Sequence, residues 1–341
     1  MAISNKTAFL LLSYGAPETR GDLLPFLQNV TGGRISGERL REAVTHYERL
    51  EDETGVLSPL PADCRRLLVS LKTELAAVIP SDNFFFATLF WKPTLVDAIT
   101  QMSQRGIERC VVFITTVFDT PSNRGRYISA IDGACKTVRE NVNAKLNVPI
   151  FDILPPLYDK KLYWKSAAEC LIEMFTQIQS ALDYDPIIES TQTLIMFSVH
   201  SLPLHEADKS GYLDQLKSTC GNIMRYTVPN DYIETDFVHP IYSPTDWRVI
   251  YQSRGGRPTE KWLETDLPNE LKTIRDTGCY HRIIFVPLGF FCENMEIAYD
   301  LDRIASEHCH TLGMSCDRVK TVSTSKTILR LVREMAESVV S

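Results

Sequence analysis

The chain has 341 residues, 44% of them hydrophobic and 23% charged, and 36 lysines and arginines against 43 aspartates and glutamates leave a formal charge of −7. That length and balance exclude a disulfide-stapled miniprotein and a disordered tail, and they imply about two domains with an ample core each. An acidic chain without a segregated basic stretch is also a poor partner for nucleic acid. Cysteines at 64, 110, 135, 170, 220, 279, 292, 309 and 316 stand singly with no CxxC pair, which suits a reducing cytosol. No run approaches the ~18 apolar residues of a membrane span. The short apolar stretch after Lys6 ends at a turn, too early for a secretory leader. The expectation is a cytoplasmic protein, not embedded in a membrane, with docking to a membrane surface left open.

Short apolar runs alternate with longer segments of helical period, the pattern of an α/β protein built on parallel sheets. In chain order a strand at 8–13 precedes helices at 40–50 and 65–78, a strand at 84–89 and a helix at 95–105. A strand at 111–116, a helix at 128–141 and a strand at 148–154 follow. A long helix at 162–181 then leads to a strand at 194–198, a helix at 213–226, a strand at 248–252 and a helix at 267–277. The chain closes with a strand at 283–287, a helix at 293–307, a strand at 318–322 and a helix at 326–337. The strands fall into two sets of four, so the expected fold is α/β: two doubly wound Rossmann-like domains, each with a four-stranded parallel sheet flanked by helices. The division is placed at 1–170 and 171–341, with the last helix able to pack back on the first domain.

In open parallel sheets ligands lie beyond the carboxyl ends of the strands. After the first strand comes Ser13-Tyr14-Gly15-Ala16-Pro17, and Pro17 has no N–H to offer a pyrophosphate; neither GxGxxG nor GxxxxGK[ST] occurs, which disfavours a nucleotide cofactor. Tyr14 is either a turn aromatic packed on Pro17 or a phenol at the mouth of the sheet. After the fifth strand His200 stands in Ser198-Val199-His200-Ser201-Leu202-Pro203; a lone histidine is more often structural, yet imidazole can accept and pass a proton near neutrality. No GxSxG elbow supports a hydrolase triad there.

After the seventh strand Glu293, Glu296 and Asp300 stand at i, i+3 and i+7, on one face of an α-helix beginning near Glu293. Acids in a first turn complement the helix dipole, which accounts for Glu293 and Glu296 but poorly for Asp300. A stripe of carboxylates is also what a divalent cation follows. His308-Cys309-His310 with Cys316 lacks zinc spacing. Trp91, Trp247, Trp262, Phe84–Phe86 and Phe290-Phe291 supply aromatic surface that a core needs and a flat apolar ligand would use.

Taken in order, LLLSYGAPE, PFLQNVTGGR, HYERL with GVLSPL, FSVHSLPL, IYQSRGGRP with WLETDL, and VPLGFFCENMEIAYDLD resemble the ferrochelatases, over about residues 8–305. The stretches around Asn29 and Arg257 are most similar to the actinobacterial type, which acts on coproporphyrin III. The resemblance implies a chelatase-like fold and insertion of Fe2+, as substrate, into a porphyrin in haem synthesis, with coproporphyrin III favoured over protoporphyrin IX. It implies His200 and Glu296 as the catalytic and metal-site pair, Tyr14 facing the metal from the other side of the macrocycle, and Ser58, Tyr127 and Arg34 at porphyrin propionates. Glu293 and Asp300 become candidates for metal delivery. The chain departs from the family pattern at Asn294, where a second imidazole is common, at Val56, where a second glycine precedes the Ser-Pro, and at Ile304, one turn beyond Asp300. No tightly bound cofactor is expected and an iron-sulfur cluster is disfavoured, because only Cys309 and Cys316 lie late in the chain. The expected partners are porphyrin and ferrous iron, for a monomer, with contacts to a membrane surface or to neighbouring haem-pathway enzymes left open. The alternatives are a non-catalytic tetrapyrrole-binding or haem-carrier protein on the same fold and a chelatase for another metal.

Overall fold

The computed structural model describes residues 6–34, 37–142, 147–180, 191–227, 246–253 and 260–340. It divides into two compact units, Met1–Pro156 with Ser323–Ser341, and Leu157–Val322.

In the first unit the strands are β1 (Thr7–Ser13), β2 (Phe84–Thr88), β3 (Arg109–Ile114) and β4 (Ile150–Ile153), all parallel, in the order β2-β1-β3-β4. A central strand of a parallel sheet is covered on both faces and so reads as a continuous apolar run. All seven residues of β1 are buried. Leu10 and Leu12, alternate residues that share a face, join Val112, Ile114, Ile99, Met102, Ile131 and Ala134 in one core cluster. Burying each such side chain contributes roughly 1.5–3 kcal/mol. The helices are α1 (Arg20–Thr31), α2 (Gly37–Thr54), α3 (Leu60–Glu74), α4 (Leu95–Gln104), α5 (Arg126–Thr137) and α11 (Lys326–Val340). The last of these is tied to α3 by Arg333 and Glu74, 3.2 Å apart, and to β3 by Arg109 Nη2 donating to the Val339 carbonyl at 3.3 Å.

In the second unit β5 (Thr193–His200), β6 (Trp247–Gln252), β7 (Arg282–Val286) and β8 (Ser315–Arg318) form a parallel sheet in the order β6-β5-β7-β8, the same course as the first. Its helices are α6 (Lys161–Gln179), α7 (Leu204–Ser210), α8 (Tyr212–Thr227), α9 (Leu267–Asp276) and α10 (Ser306–Thr311), with a π-helix at Ile297–Ala305 running directly into α10. A boundary at 170/171 would cut α6, which is one continuous helix; the compact units part before it begins.

Three elements differ from the sequence expectation. Helix α1 carries Pro25 in its interior, which argues against helix from sequence. It forms because Thr19 and Asp22 close a capping box at its start and Gly32, at φ 59°, supplies a left-handed cap at its end. Strand β8 lies at 315–318 rather than 318–322, because its Ser-Cys-Asp-Arg is a short polar edge strand without an apolar run. Helix α7 is too short for periodicity to reveal.

Candidate functional site

With the order β6-β5-β7-β8, the chain leaves β5 toward opposite sides of the sheet, so the crevice for a ligand opens where the carboxyl ends of β5 and β7 diverge. Burial along β5 is complete through Val199, and His200 is the first residue to emerge. Its Nδ1 lies 2.6 Å from the Ser201 carbonyl oxygen. A carbonyl only accepts, so Nδ1 carries the hydrogen, and in the neutral imidazole the lone pair is then on Nε2, the nitrogen that can act as a base. The backbone of His200 is fixed from both sides. Tyr212 Oη donates to its carbonyl at 3.1 Å, and Gly289 N–H bonds the Ser198 carbonyl at 3.0 Å. A Cβ on Gly289 would meet Val199 Cα at 2.7 Å and His200 N at 2.9 Å, so only glycine lets the loop after β7 lie against this strand end.

That loop leads into the helix that bears the acids. Asn294 begins it: its Oδ1 accepts from Ile297 N–H at 3.0 Å, the side-chain cap expected of an asparagine at a helix start. The departure at Asn294 therefore has a local structural use. Beyond Glu296 the helix takes the π form, whose i→i+5 hydrogen bonds widen each turn and which recurs at functional sites. Glu296 and Asp300 remain neighbours on it. Burial first, and the Glu296 charge second, push the Asp300 carboxyl up to about 6, against hydrogen bonds from Ser253 and Gln252 and the nearby His200, which pull it down. Asp300 thus senses both Glu296 and His200.

Gln252, the last residue of β6, ties this set together. Its Oε1 accepts from Ser198 Oγ, and its Nε2 donates to the Glu296 carbonyl at 3.4 Å and to Asp300 Oδ2 at 3.2 Å. Ser253 Oγ also donates to Asp300 Oδ2 at 3.2 Å, from a backbone at φ 60° that a side-chain-bearing residue rarely adopts. Sequence reasoning passed over both residues because amide and hydroxyl carry no chemistry by type. Their place just beyond a strand end is the signal that points to them.

Glu293 does not join Glu296 and Asp300. The helix starts after it, and its carboxylate is bidentate to Arg318 Nη1 at 2.9 and 3.0 Å and accepts from Thr321 N–H at 2.9 Å. Arg318 Nε and Nη2 hold Asp302 at 2.7 Å each. The one-face stripe read at α spacing is therefore split by the late helix start and the π turn: Glu293 anchors structure. Among the described residues no three His, Cys, Asp or Glu side chains close into a metal cage, His200, Glu296 and Asp300 included. Cys309 is fully buried in the core of this unit, with Cys316 packed against it.

In the first unit the equivalent strand end has another chemistry. Gly15, at φ 91°, turns the chain after β1 against Thr88, whose Cβ would lie 2.9 Å from an added Cβ. Tyr14 is one-third exposed and meets Phe90 edge-on at 4.8 Å, with Phe26 at 6.5 Å; it packs on rings rather than serving as a simple turn residue. Phe26 in turn contacts Trp91 at 6.2 Å and Tyr47 at 6.3 Å. Phe90 N–H bonds the Tyr14 carbonyl at 3.1 Å, and Asn29 Nδ2 donates to the Phe90 carbonyl at 3.1 Å. Arg34 is exposed just past the glycine turn that ends α1. Ser58 is buried, its Oγ accepting from Leu60 N–H at 3.3 Å at the start of α3. Tyr127 has its ring in the core cluster of this unit, whereas its neighbour Arg126 is exposed. Arg257 lies outside the described residues.

The molecule is thus of the two-unit, all-parallel α/β class, with aromatic surface at one sheet's crevice and an imidazole with two carboxylates at the other's. The ferrochelatase family profile matches residues 6–339. The coproporphyrin III ferrochelatase of Frankia alni is 32% identical over 340 residues, covering 97% of this chain and 79% of that one. That of Leifsonia xyli is 31% identical over 329 residues, covering 93% and 79%. A ferrochelatase of Rhodopirellula baltica is 26% identical over 326 residues, covering 95% and 84%. The chain belongs to the ferrochelatase family, enzymes that insert iron into a porphyrin in haem synthesis.

Proposed function

We propose that this chain inserts ferrous iron into coproporphyrin III, with His200 as the base that takes the pyrrole protons and Glu296 as the carboxylate that meets the metal and passes protons outward. The observation that carries the reading is His200 at the end of β5, its Nδ1 2.6 Å from the Ser201 carbonyl oxygen so that the neutral ring has its lone pair on Nε2, with Asp300 sensing both His200 and Glu296. Metalation needs such a base, because two pyrrole N–H protons must leave as the ion enters. It also needs a bent ring, since in a flat macrocycle the nitrogen lone pairs point inward; binding energy from the propionates supplies that strain.

Asp300, in hydrogen-bond contact with Gln252 and Ser253, stands next in line from Glu296 for ion or proton. Tyr14 presents its phenol to the macrocycle, with Phe90 and Trp91 as apolar surface for the plate. Arg34, Ser58 and the Tyr127 hydroxyl take propionates. The choice of coproporphyrin III is supported by relatives named for that substrate at 32% and 31% identity. The protein works without a resident cofactor, iron being substrate. The reaction belongs in the cytoplasm: all nine thiols are free, and among the described residues no helix is long and apolar enough to cross a membrane.

The test is an anaerobic assay of purified protein with Fe2+ and, separately, coproporphyrin III and protoporphyrin IX, following loss of free-porphyrin fluorescence for wild type and His200→Ala. Turnover that favours coproporphyrin III and vanishes in the variant is the expected result. Binding of either porphyrin without metalation by the wild type overturns the enzyme reading in favour of a carrier.

A further inference from the structure

Coproporphyrin III differs from protoporphyrin IX in carrying propionates where the latter carries vinyl groups, so its carboxylates are spread around the ring instead of gathered on one edge. A site that prefers it needs a cation away from the groups that hold the shared edge. Arg34 and Ser58 both lie in the connection between β1 and β2. Arg126 comes from another connection, between β3 and β4, as the first residue of α5, which packs with α4 over Leu10 and Leu12.

Its guanidinium carbon lies 5.7 Å from the centre of the Phe90 ring, and Phe90 sits edge-on to Tyr14 at 4.8 Å. The platform is rigid, because Phe90 is bonded through its N–H to Tyr14 and through its carbonyl to Asn29. One ring therefore separates the cation from the phenol that faces the porphyrin.

Several other arginines of this unit are neutralised within it, whereas Arg105, over the Phe85 ring, is bonded to the Asn83 amide. Arg20 is held by Glu51 and Asp52, Arg65 by Glu18, Arg66 by Asp63 and Arg109 by Asp152. Two residues before Arg126, Arg124 donates to the Leu154 carbonyl at 2.8 Å and lies 3.9 Å from Asp119. Arg126 is exposed and, among the described residues, has no carboxylate within ion-pair distance. A guanidinium lying on an aromatic face keeps the N–H groups at its edge for an incoming planar anion, the geometry that binds a carboxylate bidentately.

We propose that Arg126, stacked on Phe90 beside Tyr14, binds a propionate that coproporphyrin III has and protoporphyrin IX lacks, and so sets the enzyme's substrate preference. The proposal rests on the reading of Tyr14 as a residue facing the porphyrin.

The experiment measures the affinity of each porphyrin by fluorescence quenching without metal, and kcat and KM with Fe2+, for wild type, Arg126→Ala and Phe90→Leu. Losing a charge-assisted pair weakens coproporphyrin III binding about tenfold or more. The preference for coproporphyrin III over protoporphyrin IX then shrinks by a similar factor, while kcat for coproporphyrin III stays near wild type. Phe90→Leu removes the platform and keeps the cation but also takes apolar surface from both porphyrins, so its readout is the affinity ratio alone, which shrinks by less than in Arg126→Ala. Unchanged coproporphyrin III affinity in Arg126→Ala, or equal losses for both porphyrins, overturns the proposal. A wild type that binds porphyrin without turnover would sink the enzyme reading alone, because the affinity ratio still decides the role of Arg126.

Discussion

The two sheets follow the same course, yet at the end of β1 stand a phenol, a cluster of rings and Arg126, which among the described residues has no carboxylate within ion-pair distance, and at the end of β5 an imidazole and two carboxylates. Topology explains where each set lies, since both first strands mark the point at which their sheet is wound in opposite directions. It does not explain what each set is. The first end suits a flat polyanionic plate, which needs apolar faces and cations at its rim. The second suits a metal cation and departing protons, which need bases. The function proposed above turns that difference into a division of labour, in which the first unit holds the porphyrin and the second exchanges protons for metal.

The most severe way to break that comparison is His200→Ala. Removing a general base typically costs about 10²–10⁴-fold in rate. The expected outcome is a kcat reduced by at least about 100-fold with porphyrin affinity close to wild type, measured by anaerobic turnover and fluorescence quenching. A variant that lost porphyrin binding instead would place the holding function in the second unit.

Asp300→Asn probes the same end through stability. The folded carboxyl keeps its proton up to about pH 6, whereas its ordinary value is 3.8. Between those values the folded state binds more protons than the unfolded, so this group's contribution falls as pH rises toward 6 and is constant above. Asparagine removes that penalty and can still accept from Gln252 and Ser253. The variant should therefore be more stable than wild type at pH 7–8, by up to about 3 kcal/mol, with the gap closing toward pH 4. Denaturant melts across that range check it, and lower iron turnover should accompany the gain, as expected where an active site carries a destabilising charge.

Glu293→Gln is the control just ahead of the same helix. If Glu293 anchors Arg318 and does not handle metal, its loss costs stability, about 1–3 kcal/mol for a hydrogen-bonded and partly buried ion pair, and changes the apparent KM for iron little. A raised iron KM with unchanged melting temperature would return it to the metal path.

Glu293 also shows how far the sequence was legible. The β1 and β5 runs, the parallel α/β alternation and the positions of Tyr14 and His200 follow from apolar runs and strand ends, which are local properties. Glu293 pairs with Arg318 instead of sharing a face with Glu296 and Asp300, because a helix drawn at α period has one acidic face and neither the late start at Asn294 nor the π turn leaves a mark in residue spacing. Gln252 and Ser253 were missed for a different reason: their importance comes from what β5 and the π-helix bring to them, and no local pattern encodes that. Arg126 shows the same limit: nothing in residue spacing says that it lies exposed over Phe90 while the ring of the next residue, Tyr127, joins the core.

The gentlest test sharpens the comparison from the first unit. Arg34 is exposed and lies beyond a left-handed glycine turn, so removing its side chain should not disturb the core. If the first unit holds the plate by its rim, Arg34→Ala should raise the KM for either porphyrin about tenfold, the worth of one charge-assisted contact, with kcat reduced less. Both substrates should suffer alike if Arg34 takes a propionate on the edge they share, in contrast to Arg126→Ala, whose loss should fall on coproporphyrin III. A fall in kcat at unchanged KM would mean instead that Arg34 acts only as the ring bends, and the first unit would then share in the chemistry it is here taken only to present.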